Sequence, residues 1–112
     1  MTMELRSPNL RDLRSALGLS RDSLGRVLSV TGRTVERWEA GQDPSSPDHL
    51  RQLDHLAEVV TLGREVYGDD LSRFMGTPRR SLGRRTPTET LLHGDIEAVI
   101  RVLAKAAESQ WA

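Results

Sequence analysis

The chain has 112 residues, with sixteen basic and sixteen acidic side chains and a formal net charge of zero at pH 7. This length fits one domain or two small ones sharing a core, and the neutral charge argues against a strongly basic nucleic-acid binder. Because only 4% of residues are aromatic and cysteine is absent, we expect an aliphatic core without disulfides or thiolate zinc sites. Neither a signal-peptide pattern nor a membrane-length apolar stretch is present, so we expect a cytoplasmic protein.

Three short helices are predicted in the first forty residues, each with a capping residue or a terminating glycine. These signals are Ser7, Pro8 and Gly18 for the first helix, Ser20 for the second, and Thr31 and Gly41 for the third. Only Leu28, Ser29 and Val30 separate the second helix from the third, which leaves room for a tight turn and nothing more.

A long helix is predicted from Pro47 to about Tyr67, where apolar residues recur at helical spacing. Such a helix spans about 30 Å. A Pro- and Ser-rich linker precedes it, and Gly63 weakens its distal half.

The remainder is less regular but still helical. We expect a short helix around Phe74, then a loop turned by glycine and proline. Thr86, Pro87 and Glu89 form a capping box at the start of a small helix, and Asp95 caps the last one. Since no strand pattern and no repeat is present, the predicted fold class is all-α.

Residues 19–41, LSRDSLGRVLSVTGRTVERWEAG, resemble the helix-turn-helix of Xre/Cro repressors. The resemblance implies base contacts from Arg33, Thr34 and Arg37 and a phosphate contact from Arg21. Two departures stand out. Ser29 occupies a turn position where the family usually has glycine, which predicts a slightly strained turn. Gly32 has no side chain, so it cannot contribute a side-chain contact at the edge of the third helix that would read DNA.

The sequence leaves an alternative open for this motif. Glu36 and Glu39 flank Arg37 with negative charge, and the net charge of the chain is zero. A helical scaffold that has lost DNA binding would show the same pattern.

Residues 71–112 resemble the C-terminal toxin-binding domain of Xre/MbcA/ParS antitoxins. The motifs that carry the resemblance are Phe74-Met75, Pro78, Leu82-Gly83 with Pro87, Leu91 with Gly94, and the amphipathic segment Val99 to Leu103. Phe74 replaces the usual Trp, and Ser109-Gln110-Trp111 stands where the family usually has Gly, an aliphatic residue and an aromatic one. Both motifs together cover most of the chain in the family's order.

This resemblance implies an antitoxin that forms a homodimer, inhibits a RES-domain toxin acting on NAD, and represses its own operon by binding operator DNA. It implies three regions: residues 1–46 for DNA binding, 47–70 as a connecting or dimerisation helix, and 71–112 for toxin binding. The predicted toxin-binding residues are Arg84, Arg85, Ser109, Gln110, Trp111 and Ala112. Trp111 either enters a pocket of the partner or folds back onto the core.

An enzymatic role has little support in the sequence. The only histidines are His49, His55 and His93, and the first two lie on different faces of their helix, so they cannot share a metal. No nucleophile motif or phosphate-binding glycine loop is present. We therefore expect no cofactor, metal or small-molecule substrate. The alternative to an antitoxin is a stand-alone transcription regulator whose C-terminal half dimerises or senses a ligand.

Overall fold

A computed structural model of the protein describes residues 9–111, with Trp111 described by its backbone alone. Over this range the chain forms seven α-helices joined by short connections. They are α1 (Leu10–Leu17), α2 (Arg21–Leu28), α3 (Gly32–Glu39), α4 (Pro47–Tyr67), α5 (Leu71–Met75), α6 (Pro87–Leu92) and α7 (Ile96–Trp111). Two short 3-10 turns, Gly68–Asp70 and Arg80–Leu82, flank α5. The all-α fold class is confirmed.

Polar side chains cap most of these helices, as the sequence predicts. Ser20 and Thr31 accept hydrogen bonds from the backbone amides of Ser23 and Thr34, at 3.0 and 3.1 Å. At the start of α6, Thr86 Oγ1 accepts from the Glu89 amide at 2.9 Å, and a Glu89 carboxylate oxygen accepts from the Thr86 amide at 2.8 Å. Each such cap satisfies donors that the first helical turn leaves without partners.

The first helix begins later than predicted. Asn9 is its N-cap, with the side-chain oxygen accepting from the Asp12 amide at 3.1 Å, and the helix starts at Leu10. The predicted cap Ser7 and first helical residue Pro8 lie outside the described residues. Gly18 ends the helix in the left-handed conformation, at φ 69°, as predicted.

The long helix α4 runs for 21 residues from Pro47 to Tyr67, at the predicted position. Gly63 does not interrupt it. This glycine is buried, and a Cβ added there would collide with the Leu71 side chain at the start of α5. Gly63 therefore permits a close approach between α4 and α5. Although α4 is long, no helix among residues 9–111 is apolar enough over a sufficient length to cross a membrane.

One apolar core joins the two motif regions, as predicted. Fully buried leucines come from successive parts of the chain: Leu17, Leu24, Leu56, Leu91 and Leu103. α7 packs along α4, while α2 contacts α6 and α1 contacts α5. The division into regions 1–46, 47–70 and 71–112 stays a prediction, but the core is continuous across both boundaries.

Candidate functional site

The turn between α2 and α3 depends on two residues, Ser29 in the turn itself and Gly25 in α2. Ser29 adopts the left-handed conformation, at φ 61° and ψ 39°, which costs a residue with a Cβ roughly 1–2 kcal/mol. This is the strained turn that the sequence predicts. Gly25 is buried in α2, and an added Cβ would lie only 2.5 Å from the Val30 carbonyl oxygen. Gly25 therefore lets the turn fold back against α2.

The exposed edge of α3 carries most of the residues predicted to contact bases. Arg33, Glu36 and Arg37 are exposed, whereas Thr34 is half-buried with its hydroxyl 3.0 Å from that of Thr31. An Arg37 guanidinium nitrogen donates to Thr34 Oγ1 at 3.4 Å, so these two side chains are neighbours on one edge. A helix edge presenting arginines in this way can reach base edges in the DNA major groove.

Gly32, the second departure from the family pattern, has a packing reason. A Cβ at this position would collide with the carboxylate of Asp22. Asp22 thus occupies the space where a side chain of the first α3 residue would project. Its negative charge stands at the positive end of α3, which is electrostatically favourable.

A polar groove lies in front of α3 and gathers the predicted DNA-binding residues. It brings together side chains from α1, α2 and α3, several of them basic. The lining residues are Arg14, Ser20, Arg21, Asp22, Gly32, Arg33, Glu36, Arg37 and Ala40. Three of the four predicted DNA-binding residues, Arg21, Arg33 and Arg37, line this groove, and Thr34 lies beside it through its contact with Arg37.

Behind the groove, arginines from α1 and α2 converge on one carboxylate of α3. Glu39 accepts hydrogen bonds from Arg14 Nε at 2.7 Å and from Arg21 Nε at 3.0 Å, and Arg11 Nε lies 4.0 Å away. The Glu39 side chain is only 2% exposed, compared with 20% for Arg14 and 42% for Arg21. This cluster ties the three helices of the motif together and orients Arg21.

Burial alone would raise the pKa of Glu39, but the hydrogen bonds and charges of Arg14 and Arg21 outweigh it and hold the pKa below its ordinary value. Glu39 is therefore ionised at neutral pH. The expectation that its charge flanks Arg37 on the reading edge is wrong, because the side chain points inward onto two arginines. Glu36 remains as the exposed acid on that edge.

Sequence reasoning missed Arg14, Gly25 and the structural role of Glu39. A glycine inside a helix was a usable signal for Gly25, since glycine is unfavourable there unless a close approach requires it. Arg14 and Glu39 are 25 residues apart, and no local pattern pairs them.

The C-terminal region forms a corner between α5 and α6. The amide of Arg79 donates to the carbonyl of Arg85 at 3.0 Å. This contact is a single antiparallel bridge, and residues 9–111 form no β-strand. Leu82 and Pro87 are buried beneath it, whereas the predicted toxin-binding residues Arg84 and Arg85 are exposed. Arg84 has φ 70°, a left-handed conformation that is uncommon for a residue with a side chain.

The predicted toxin-binding tail continues from α7. Leu103 is the last fully buried residue of this helix, and Ser109 and Gln110 are exposed. The side chain of Trp111, and Ala112 altogether, lie outside the described residues. The structure therefore brings Arg84 and Arg85 together at the corner and places Ser109 and Gln110 separately, at the end of α7.

No group of three or more His, Asp or Glu side chains in the described range is placed to hold an ion. His93 is used locally: its Nδ1 lies 2.8 Å from the Glu89 carbonyl oxygen at the end of α6. This contact places His93 at the C-terminal end of α6, where histidine side chains commonly meet the last carbonyl groups of a helix.

The fold and the groove define a helix-turn-helix protein, and residues 9–65 match the family described as helix-turn-helix domain. The chain is also 30% identical over 93 residues to the mycobacterial cidal antitoxin MbcA of Mycobacterium bovis and of Mycobacterium tuberculosis. Those alignments cover 82% of this chain and 82% of each relative. The chain belongs to the MbcA family of antitoxins.

A solved structure agrees with this assignment. The fold matches a chain in the crystal structure of the M. tuberculosis MbcT–MbcA toxin–antitoxin complex with a TM-score of 0.70 and 26% sequence identity. The match covers 96% of this chain and 97% of that chain, so it includes both motif regions and the helix between them.

Proposed function

We propose that this chain is the antitoxin of a toxin–antitoxin pair, that it binds and inhibits a RES-domain toxin acting on NAD, and that it represses its own operon. The observation that carries the proposal is the match over 96% of the chain to a chain of a toxin–antitoxin complex. A regulator unrelated to antitoxins would be expected to share only the helix-turn-helix region. Both proposed partners, toxin and operator DNA, are met in the cytoplasm.

Toxin binding is assigned to the C-terminal region. The exposed arginines Arg84 and Arg85 are suited to pair with acidic residues at the rim of the toxin, which mainly affects the association rate. The exposed end of α7, Ser109 and Gln110, continues into Trp111 and Ala112, which we assign to the toxin's active-site cleft. A large aromatic side chain at such a position is a typical interface anchor.

Co-expression tests this part of the proposal. A cognate RES-domain toxin is expressed in growing cells with the wild-type chain or with a variant lacking Gln110 to Ala112. We expect the wild type to restore growth and the truncation to fail, because the deletion removes the tail assigned to the toxin. The truncated chain should still fold, since the buried part of α7 ends before the deletion. Arg73→Gln, an exposed change on α5, is the control and should still restore growth. If the truncation also restores growth, the tail is not the inhibitory element, and inhibition comes instead from the corner between Leu82 and Gly94 or from distortion of the toxin.

DNA binding is assigned to the groove in front of α3. Arg37→Ala should cost about 1–3 kcal/mol at the operator and relax specificity at one base pair, because an arginine fork can hold guanine at two atoms. Arg21→Ala should weaken binding to all sequences alike, as expected of a phosphate contact. Arg26→Ala, an exposed change outside the groove, is the matched control.

The DNA measurement is a titration of operator DNA at one fixed salt concentration, because affinity for DNA depends steeply on salt. Unchanged affinity in both Arg21→Ala and Arg37→Ala would mean that the helix-turn-helix is only a scaffold. Size-exclusion chromatography with light scattering tests the proposed homodimer. A chain that stays monomeric would contradict dimerisation but leave toxin binding open to its own test.

A further inference from the structure

Helix α7 has a second distinct face besides the one it buries. Ile96, Val99 and Leu103 are buried in the core. On another side, small and basic residues recur at helical spacing beside the 3-10 turn Arg80–Leu82. We call this concavity the α7 groove; its floor is Ala98, Val102 and Ala106, and its rim carries Arg79, Arg101 and Lys105. Ser109 closes the end nearest the tail.

All the charged side chains that line the α7 groove are positive. No acidic residue lines it, and within the described range no carboxylate comes within 4.0 Å of the side-chain nitrogens of Arg79, Arg101 or Lys105. The arginines of the helix-turn-helix provide the contrast, since Arg14 and Arg21 are held by the buried Glu39. Three cations around one concavity repel one another and favour an anionic occupant.

Arg79 is already held in position for such an occupant. Its amide donates to the Arg85 carbonyl at 3.0 Å, and its own carbonyl accepts from the Arg84 amide at 2.9 Å. Its guanidinium carbon lies 5.3 Å from the centre of the Phe74 ring, and that ring stacks on Tyr67 at 4.7 Å. Its Nε is buried and contacts no acceptor among the described residues. A guanidinium fixed in this way loses little freedom when it pairs with a carboxylate.

The shape of the groove limits what can enter it. Its volume of about 290 Å³ accommodates one or two side chains, and its floor is apolar. A phosphate group has no apolar part to place on that floor, and the groove that gathers the predicted DNA contacts lies in front of α3. The α7 groove is instead continuous, through Ser109, with the tail assigned to the toxin.

We propose that the α7 groove receives an acidic side chain of the toxin, whose carboxylate pairs with Arg79, Arg101 and Lys105 while an adjoining apolar side chain packs on Ala98, Val102 and Ala106. This inference rests on the proposed function and adds to it the chemistry of the toxin surface. It assigns a second contact area, distinct from the tail. It also makes these basic residues determinants of which toxin the chain recognises.

Charge removal is the first test. Arg101→Gln and Lys105→Gln change exposed side chains on the rim and leave the core face of α7 intact. Measured by calorimetric titration into the purified toxin at low salt, each should weaken affinity roughly 10- to 100-fold, the size expected for a charged hydrogen bond. Arg73→Gln removes the same charge outside the groove and should leave affinity unchanged. If Arg73→Gln weakens toxin affinity as much as the groove variants do, the loss reflects general charge attraction and the proposal is overturned.

Chemical cross-linking identifies the occupant directly. Lys105 is the only lysine of the chain, so its ε-amine is a single reporter in this groove. A carbodiimide joins an amine to a carboxylate in contact with it as an amide, without a spacer. In the complex of the full chain with the toxin, mass spectrometry should find Lys105 linked to an Asp or Glu of the toxin. Lys105→Arg keeps the charge, so it should bind normally and lose the cross-link.

Other outcomes would overturn the inference in recognisable ways. A cross-link from Lys105 to an acidic residue of a second copy would make the groove a self-association surface. Weaker operator binding with unchanged toxin affinity in the Gln variants would make it a DNA contact. If the wild type binds toxin, but the Gln variants bind it equally well and Lys105 does not cross-link to it, the groove assignment fails and the antitoxin function stands. If the wild type does not bind toxin, both fail together.

Discussion

Replacing Glu39 by glutamine should weaken the helix-turn-helix from within. In the native chain one buried carboxylate balances Arg14 and Arg21 and so links α3 to α1 and α2. Glutamine is nearly the same size, but it removes the charge and turns one acceptor oxygen into an amino group facing a guanidinium. The substitution therefore tests electrostatics without opening a cavity.

The expected size follows from what is lost. A hydrogen bond to a charged group contributes about 1.5–3 kcal/mol, and the variant loses one of two while the other becomes a neutral-acceptor bond. Arg14 and Arg21 are 20% and 42% exposed, so water partly replaces the missing partner and the lower end of the range applies. We expect the free energy of unfolding to fall by about 2 kcal/mol, with a melting temperature about 6–10 °C lower.

Thermal and urea unfolding at fixed protein concentration measure this change. The control is Asp48→Asn, which breaks the exposed Arg51–Asp48 pair at 2.9 Å and should cost no more than about 0.5 kcal/mol. The effect of Glu39→Gln should also depend on pH. Because the pKa of Glu39 is lowered in the folded chain, its contribution is complete above the ordinary value of 4.5 and disappears as pH falls through the lowered pKa. Equal losses in both variants, or a Glu39→Gln effect that persists in acid, would refute this reasoning.

Three further predictions concern backbone geometry. Ser29→Gly should raise the unfolding free energy by about 1 kcal/mol in urea titrations, since glycine accepts φ 61° without strain; a loss would show that the Ser29 side chain contributes more than the strain costs. Gly25→Ala should lower both the melting temperature and operator affinity, because its Cβ would lie 2.5 Å from the Val30 carbonyl oxygen; normal operator binding would contradict this. Arg84→Gly should relieve the strain at φ 70° yet slow toxin association in stopped-flow measurements; an unchanged association rate would remove Arg84 from the toxin-binding set.

Local chemistry made much of the fold predictable. The caps at Ser20, Thr31 and Thr86 and the span of α4 follow from spacing within a few residues, and the structure has them where the sequence indicates. The sequence predicts too early a start for α1, because Ser7 followed by Pro8 is a stronger start signal than Asn9. In the structure Asn9 is the N-cap. Capping propensities rank residue types as N-caps, but they do not decide between neighbouring residues that can all cap a helix.

The candidate sites were less predictable because they depend on contacts between distant parts of the chain. The resemblance predicts a reading edge at Arg33 and Arg37, and sequence order alone puts the charge of Glu39 beside Arg37, whereas the Glu39 side chain turns inward. Likewise, the sequence shows that the run from Arg79 to Arg85 is basic, but the position of the Arg79 side chain against Phe74 and beside α7 depends on tertiary packing. Helical periodicity predicts on which face of its helix a residue lies. It does not predict which residue of another helix will contact it.

The zero net charge of the chain, which at first argues against DNA binding, conceals two different uses of arginine. In the helix-turn-helix, Arg14 and Arg21 find their counter-charge within the chain, at Glu39, and the result is a fixed arrangement of three helices. Around the α7 groove, Arg79, Arg101 and Lys105 have no such partner in the described range. Because one apolar core supports both regions, a substitution that damages packing would impair both together. Changes outside the core, at surface charges or in the tail, are therefore the ones that can separate the proposed DNA binding from the proposed toxin binding. Since the two groups of basic residues lie in different regions, the position of a change predicts which of the two bindings it alters.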